Sequence, residues 1–285
     1  MNIDKKCLEC IYAQANRVCE LLDIEGEQKE DILVESKKMI EQMSFALTPP
    51  QNATPMYEMI GEKLGRKDIY ESIKRDSILH ALEFSDYSQE LIDNSDEKLH
   101  TATKVAIVGN VIDLASTHMF DLKSEVEKIV TNEFAIDDFK LLHEDIKKAK
   151  TVAYLADNAG EDVFDKLYIK TIKELYPDIE VYYFVRGTPI INDLTVEDLA
   201  LSNIEEVATI INSGVPTPGI VRSALEGSPK ELFESADIII SKGMGNYECL
   251  SQERDLPLYF LLKVKCEVVS GAIGANLGDI VCKRV

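Results

Sequence analysis

Near Ala149 the hydrophobic rhythm of the chain changes, and the change decides the architecture. From there on, short apolar runs alternate with amphipathic stretches. The runs are 151–156 (TVAYLA), 181–185 (VYYFV), 207–211 (VATII), 236–241 (ADIIIS), 258–262 (LYFLL) and the closing DIVCKRV. DVFDKLYIKTIKELY, TVEDLALS and SALEGSPKELFES lie between them as helical patterns. Apolar runs without polar alternation suit strands buried on both faces, and strand–helix alternation gives parallel pairing through right-handed crossovers. The expected fold class is therefore α/β: a Rossmann-like αβα layer with a mainly parallel sheet.

Upstream, from Asp4 to about Leu122, the patterns are helical. CLECIYAQANRVCELL places Leu8, Ile11, Tyr12, Ala15, Val18 and Leu21 on one face. KEDILVESKKMIEQM repeats that spacing, and the three prolines of LTPPQNATP are expected to interrupt it. TPMYEMIGEKLG reads as a helix capped at Thr54 with Gly65 near its end, and DIYESIKRDSILHALEF as another. The expected division is an all-α N-terminal region over 1–122 and an αβα Rossmann-like domain over 123–285. By its Val and Ile content, KVAIVGNVID (104–113) reads as a strand and turn.

Open parallel sheets bind ligands beyond the carboxyl ends of their strands. The residues there are Asp157, Asn158, Gly160 and Glu161 after the first run, then Arg186 with Asn192 and Asp193. Asn212 to Gly214 follow the third run, and Lys242, Gly243, Gly245, Asn246 and Glu248 the fourth. Carboxylates, amides and two cations, with hardly a Ser or His, are the chemistry of hard-cation and phosphate binding. Asp157, Asn158 and Asp193 offer oxygen donors of the kind Mg²⁺ and Mn²⁺ prefer. Lys242 and Arg186 could then face phosphoryl oxygens. A plainer alternative makes Asp157-Asn158 the cap of a helix starting near Gly160, and Asp193 the cap of the next one. Gly243 and Gly245 suggest close backbone approach or a tight turn. The glycines of SGAIGANLGD are expected to serve close packing, and His80, His100, His118 and His143 lack metal-ligand spacing.

Composition narrows the partners. Against 31 Lys and Arg stand 51 Asp and Glu, a formal net charge of −20. That field repels phosphate polymers and anionic lipid, so neither nucleic acid nor a membrane is expected as a partner. A small phosphorylated metabolite is still compatible, because a metal ion and a few cations can invert the sign inside one pocket. The charged start lacks a signal-peptide core and no apolar run reaches membrane-spanning length, so a cytoplasmic location is expected. The six cysteines are then expected as reduced thiols; Cys7 and Cys10 form a C-x-x-C without the second pair a zinc site would use.

Four segments, VGNVIDLAS, LADNAGE, FVRGTPIINDLT and SKGMGNYE, follow one another in this chain. In that order they resemble the domain-of-unknown-function-89 family, whose members are described as metal-dependent damage-control phosphatases with an acidic-residue methyltransferase-like fold. The resemblance spans nearly the whole chain, and the C-x-x-C and compact length are similar to the prokaryotic, especially archaeal, branch. It implies a helical N-terminal region before a Rossmann-like domain, with Asp157, Asn158 and Asp193 as metal ligands. It implies Lys242 as the phosphate partner and Asn110, Asp113, Glu161, Arg186, Asn246 and Glu248 as pocket residues. It also implies that KVAIVGNVID is a helix.

The expected activity is a divalent-metal-dependent phosphatase for small phosphorylated metabolites such as sugar phosphates or phosphopantetheine-like compounds, using Mg²⁺, Mn²⁺, Co²⁺ or Ni²⁺. Asp157, Glu161 and Lys242 are the expected catalytic residues. Attack comes either from water, with Glu161 as base, or from Asp157 itself. The rivals are an S-adenosylmethionine-dependent methyltransferase, although the first loop has only Gly160, and a metal or thiol sensor built on Cys7 and Cys10.

Overall fold

The computed structural model describes residues 1–108 and 122–285. Its strands are β1 (Ile136–Asp137), β2 (Thr151–Leu155), β3 (Glu180–Val185), β4 (Thr209–Asn212), β5 (Ile238–Lys242), β6 (Leu258–Lys263) and β7 (Ile280–Arg284). Among the described residues they form one sheet in the order β1-β7-β6-β5-β2-β3-β4. Every pairing is parallel except β6 with β7. All six expected strands are present, with ends displaced by a residue or two. Only the two-residue β1 had no sequence pattern to reveal it.

Residues along each central strand divide between two cores. Val152 and Tyr154 of β2 join one cluster, and Ala153 and Leu155 the other; Ile240 and Ile239 of β5 divide in the same way. A sheet buried on both faces is the reason these runs show no polar alternation. The first cluster is completed by α4 (Glu71–Leu82), α5 (Ser85–Asp93), α6 (Lys98–Val108), α7 (Leu122–Thr131), α8 (Phe139–Ile146) and α9 (Glu161–Leu175). The second is completed by α10 (Gly227–Ser235), α11 (Gly243–Leu250) and α12 (Glu267–Ile273). A third cluster lies among α1 (Lys5–Leu21), α2 (Gly26–Glu41) and α3 (Pro49–Leu64), together with Ile190 from the loop after β3.

Three local readings are corrected. The helical pattern breaks before LTPPQNATP, after Glu41, and two of its three prolines begin the next helix while Pro55 lies inside it. Thr48 caps α3 in a capping box with Gln51, whose backbone N–H donates to Thr48 Oγ1 at 3.3 Å while Gln51 Oε1 accepts from Thr48 N at 3.1 Å. Pro49 and Pro50 occupy the first turn, where a missing N–H costs nothing. Thr54 lies inside the helix, donating to the Pro50 carbonyl at 2.9 Å. Residues 104–108 of KVAIVGNVID are helical, within α6, and Val105, Ile107 and Val108 pack into the first cluster; residues 109–113 of that segment lie outside the described residues. The glycines of SGAIGANLGD are not packing positions: a Cβ at Gly271, Gly274 or Gly278 would meet nothing within 4 Å. Gly274 and Gly278 instead take left-handed turns at φ 83° and 88°.

The strand order sets the position of the site. The chain runs from β2 outward through β3 and β4, then returns to place β5 on the other flank of β2. The switch point therefore lies between β2 and β5, where a crevice is expected beyond the carboxyl ends.

Candidate active site

Asp157 and Asn158 follow β2 and are fixed by backbone. Ala156 N donates to the Phe184 carbonyl at 3.0 Å, continuing the ladder by one residue. After Arg186 the chain loops out and returns beside this segment. Leu194 N donates to the Asp157 carbonyl at 3.0 Å and Ala159 N to the Asn192 carbonyl at 2.8 Å, while Asn158 and Asp193 form a β-bridge. Residues 33 to 37 positions apart are thus held side by side by main chain alone.

The plainer capping roles are not the ones observed. Gly160 caps α9 in a left-handed conformation without a side-chain hydrogen bond. Thr195, in a capping box with Asp198, starts the 3₁₀ turn of Val196–Ala200. Neither Asp157 nor Asp193 is spent on a helix end.

Both residues are buried, at 7% and 3% exposure. Arg186, 1% exposed, donates through Nε to Asp193 Oδ2 at 2.6 Å, and its Nη2 lies 3.7 Å from Asp157 Oδ1. Both terminal guanidinium nitrogens are buried without a hydrogen-bond partner. Burial, with repulsion from Glu161 and Asp193, pushes the Asp157 carboxyl well above its ordinary range despite Arg186. Burial lifts Asp193 to about 6, against the pull of Arg186.

Asn158 Nδ2 donates to Asp157 Oδ2 and to Glu161 Oε1, both at 2.9 Å. Its amide nitrogen is thereby committed, and its carbonyl oxygen is the atom left to bind a cation. Two carboxylates and an amide oxygen form a hard donor set of the kind divalent ions prefer. The residues fit a divalent ion. Among the described residues no cluster of three or more His, Cys, Asp or Glu forms a metal site, so such an ion would depend on Asn158 and on non-protein ligands.

Lys242 ends β5 completely buried, its Nζ 2.9 Å from Glu161 Oε2 and 2.6 Å from Asp165 Oδ1. Burial opposes its charge, but the two carboxylates override that and raise its pKa. Gly243, at φ +73°, lies so close to the Asp157 carboxylate that any Cβ would collide with it. That close approach is what the glycine provides. Gly245 meets the Pro218 backbone in the same manner.

Other expected site residues are placed differently. Asn246 directs its side chain at backbone, donating to the Ala156 and Lys242 carbonyls at 3.0 and 2.8 Å and accepting from Ile220 N at 2.7 Å. It ties strand ends together. Glu248, raised to about 7 by burial, neighbours Cys7, Cys10 and the chain amino group. Asn110 and Asp113, like His118, lie outside the described residues. All six cysteines are free thiols, Cys7 buried and Cys10 exposed.

Sequence reasoning missed Asp165, which accepts from Tyr154 and Tyr183 hydroxyls at 2.6 and 2.8 Å. Its spacing of four from Glu161, which puts both carboxylates on one face of α9, was the available signal. It also missed Lys74, buried between Asp68 and Asp198 at 2.7 Å from each. Residues 188–191 of the loop that delivers Asp193 line a groove of about 480 Å³ together with Tyr57, Gly61 and Ile69.

A family model described as the damage-control phosphatase ARMT1-like domain matches residues 3–281. A damage-control phosphatase of Pyrococcus horikoshii is 33% identical over 291 residues, covering 100% of this chain and 98% of that protein. A damage-control phosphatase of Archaeoglobus fulgidus is 33% identical over 297 residues, covering 100% of both. The crystal structure of a DUF89 family protein from Pyrococcus horikoshii matches with a TM-score of 0.90 at 32% identity, covering 100% of this chain and 99% of that one.

Proposed function

Because the chain belongs to the damage-control phosphatase ARMT1-like family, we propose that it is a divalent-metal-dependent phosphatase of small phosphorylated metabolites. The observation that carries this reading is the buried Arg186 guanidinium, with two unpartnered nitrogens beside the carboxylates of Asp157 and Asp193. A cation-binding pair of acids and an under-bonded fork of N–H donors, meeting at the switch point of the sheet, suit a phosphoryl group.

Asp157, Asp193 and the carbonyl oxygen of Asn158 would hold the ion, which when bound supplies Lewis-acid polarisation of the phosphoryl oxygens. Arg186 binds those oxygens through its terminal nitrogens and opposes the charge that builds on them. Glu161 accepts the proton of the attacking water. Hydrogen bonds from Asn158 Nδ2 and Lys242 Nζ, one to each oxygen, hold its carboxylate in place. Lys242 contributes positive charge from the floor of the site. The net charge of −20 favours a compact phosphomonoester over a phosphate polymer.

The test is phosphate release from p-nitrophenyl phosphate and a panel of sugar phosphates and phosphopantetheine compounds. Chelator-treated protein should be inactive, and Mg²⁺, Mn²⁺, Co²⁺ or Ni²⁺ should restore turnover. Turnover unaffected by chelation would remove the metal from the account. Release from none of these esters with any metal would remove the phosphatase reading.

A further inference from the structure

We propose that Asp165, held by the hydroxyls of Tyr154 and Tyr183, is a positioning residue that fixes the place and charge of Lys242 beneath the reacting phosphoryl group. The proposal rests on the phosphatase reading and adds to it three residues outside the expected site.

Asp165 and Glu161 lie one turn apart on α9, both with no exposed surface. Lys242 reaches them from the end of β5. Behind Asp165, Tyr154 of β2 and Tyr183 of β3 are register partners whose rings stack with centroids 5.4 Å apart and planes inclined by 19°. Each hydroxyl donates to a different oxygen of the Asp165 carboxylate. With Lys242 on Oδ1, that carboxylate accepts three hydrogen bonds; burial raises its pKa, and the charge of Lys242 and the hydrogen bonds from Lys242 and Tyr154 oppose that rise.

A relay therefore runs from the proposed metal ligands to the sheet interior. Asp157 and Glu161 both accept from Asn158, Glu161 and Asp165 both accept from Lys242, and Asp165 is anchored by two tyrosines. An ammonium has three donors, and here Glu161 and Asp165 take two. With both carboxylates in place Lys242 lies between them, directing its remaining donor by geometry. With Asp165 neutral, the ammonium would be drawn to Glu161 alone and leave its place. Stability does not demand this arrangement, because a buried ion pair contributes little beyond an apolar pair of equal volume. Its value lies in where it puts a positive charge.

The experiment is a cycle of wild type, Asp165→Asn, Lys242→Met and the double variant. Each is assayed with metal on p-nitrophenyl phosphate and titrated calorimetrically with orthovanadate, whose binding follows transition-state affinity and needs no turnover. Asp165→Asn should lower kcat at least about tenfold, change KM by less than about twofold, and weaken orthovanadate by the same factor as kcat. In the Lys242→Met background it should weaken orthovanadate no further, because Asp165 acts through that lysine. If Asp165→Asn does not fold, Tyr183→Phe removes one anchoring hydroxyl and should show the same dependence on Lys242 at smaller size. Unchanged kcat and orthovanadate affinity in the folded variant would overturn the proposal. So would an equal loss on both backgrounds, which is the signature of a general structural role. A wild type without turnover overturns the phosphatase reading and this role with it; an active wild type with additive losses overturns the positioning role alone.

Discussion

Arg186, Asp157 and Asp193 form a set that is incomplete by itself. Two buried acids share one guanidinium, and two of its nitrogens donate to nothing. Burial lifts Asp193 to about 6 and pushes Asp157 well above its ordinary range, so protons compete with a cation for both carboxylates. A carboxylate binds metal only when deprotonated, so affinity for a divalent ion should fall as pH drops through about 6. The fall should be about tenfold per pH unit for each proton displaced. Calorimetric Mn²⁺ titrations between pH 5 and 8 check this; affinity independent of pH would contradict it. At this scale the sequence was readable where polar residues terminate an apolar run, as at Asp157, Asn158 and Asp193. It was faint where a charge hides inside an amphipathic helix, with only the spacing of four between Glu161 and Asp165 to mark it. Asp165 in DVFDKLY looks like a solvated helix acid, and nothing in its neighbours announces that two tyrosines from the sheet will cover it. Asn246 shows the opposite failure: a polar residue at a strand end whose hydrogen bonds all go to backbone.

Elements bring these residues together through close backbone approach. α11 begins at Gly243 against the Asp157 carboxylate, in a left-handed conformation that a side chain would both strain and obstruct. Gly243→Ala should displace that carboxylate, lower turnover at least about a hundredfold and cost about 1–3 kcal/mol of stability. Paired melting and turnover measurements check it, and a variant with wild-type kcat would contradict the packing described. The strands were legible because burial on both faces removes polar residues from them, and α9 because its apolar face is continuous. α3 was misread because proline breaks helices in their interior and yet suits their first turn, and only the cap at Thr48 separates the cases. The 3₁₀ turn of Val196–Ala200 carries a helical pattern too short to distinguish from an α-helix.

Across the whole molecule, the helical layer and the loop that presents Asp193 are bound by buried charge. Lys74 of α4 holds Asp68 ahead of that helix and Asp198 in the turn just after Asp193. Lys74→Met would strand two carboxylates only 16% and 11% exposed, and should cost about 2–3 kcal/mol in denaturant unfolding. A loss within about 0.5 kcal/mol would show that the pair contributes nothing net. Few sequence rules predict such a link, since its partners are 6 and 124 residues away. The formal net charge of −20 is a long-range field that disfavours polyanions. Among the described residues no helix is long and apolar enough to cross a membrane. The central claim, that Asp157, Asn158 and Asp193 bind the ion on which phosphate release depends, is tested most directly by Mn²⁺-restored p-nitrophenyl phosphate hydrolysis. Chelator-stripped wild type would be compared with Asp193→Ala. The account predicts turnover that returns with metal in the wild type and falls at least about a hundredfold in the variant, which still folds. Equal metal-restored turnover in the two proteins would contradict it.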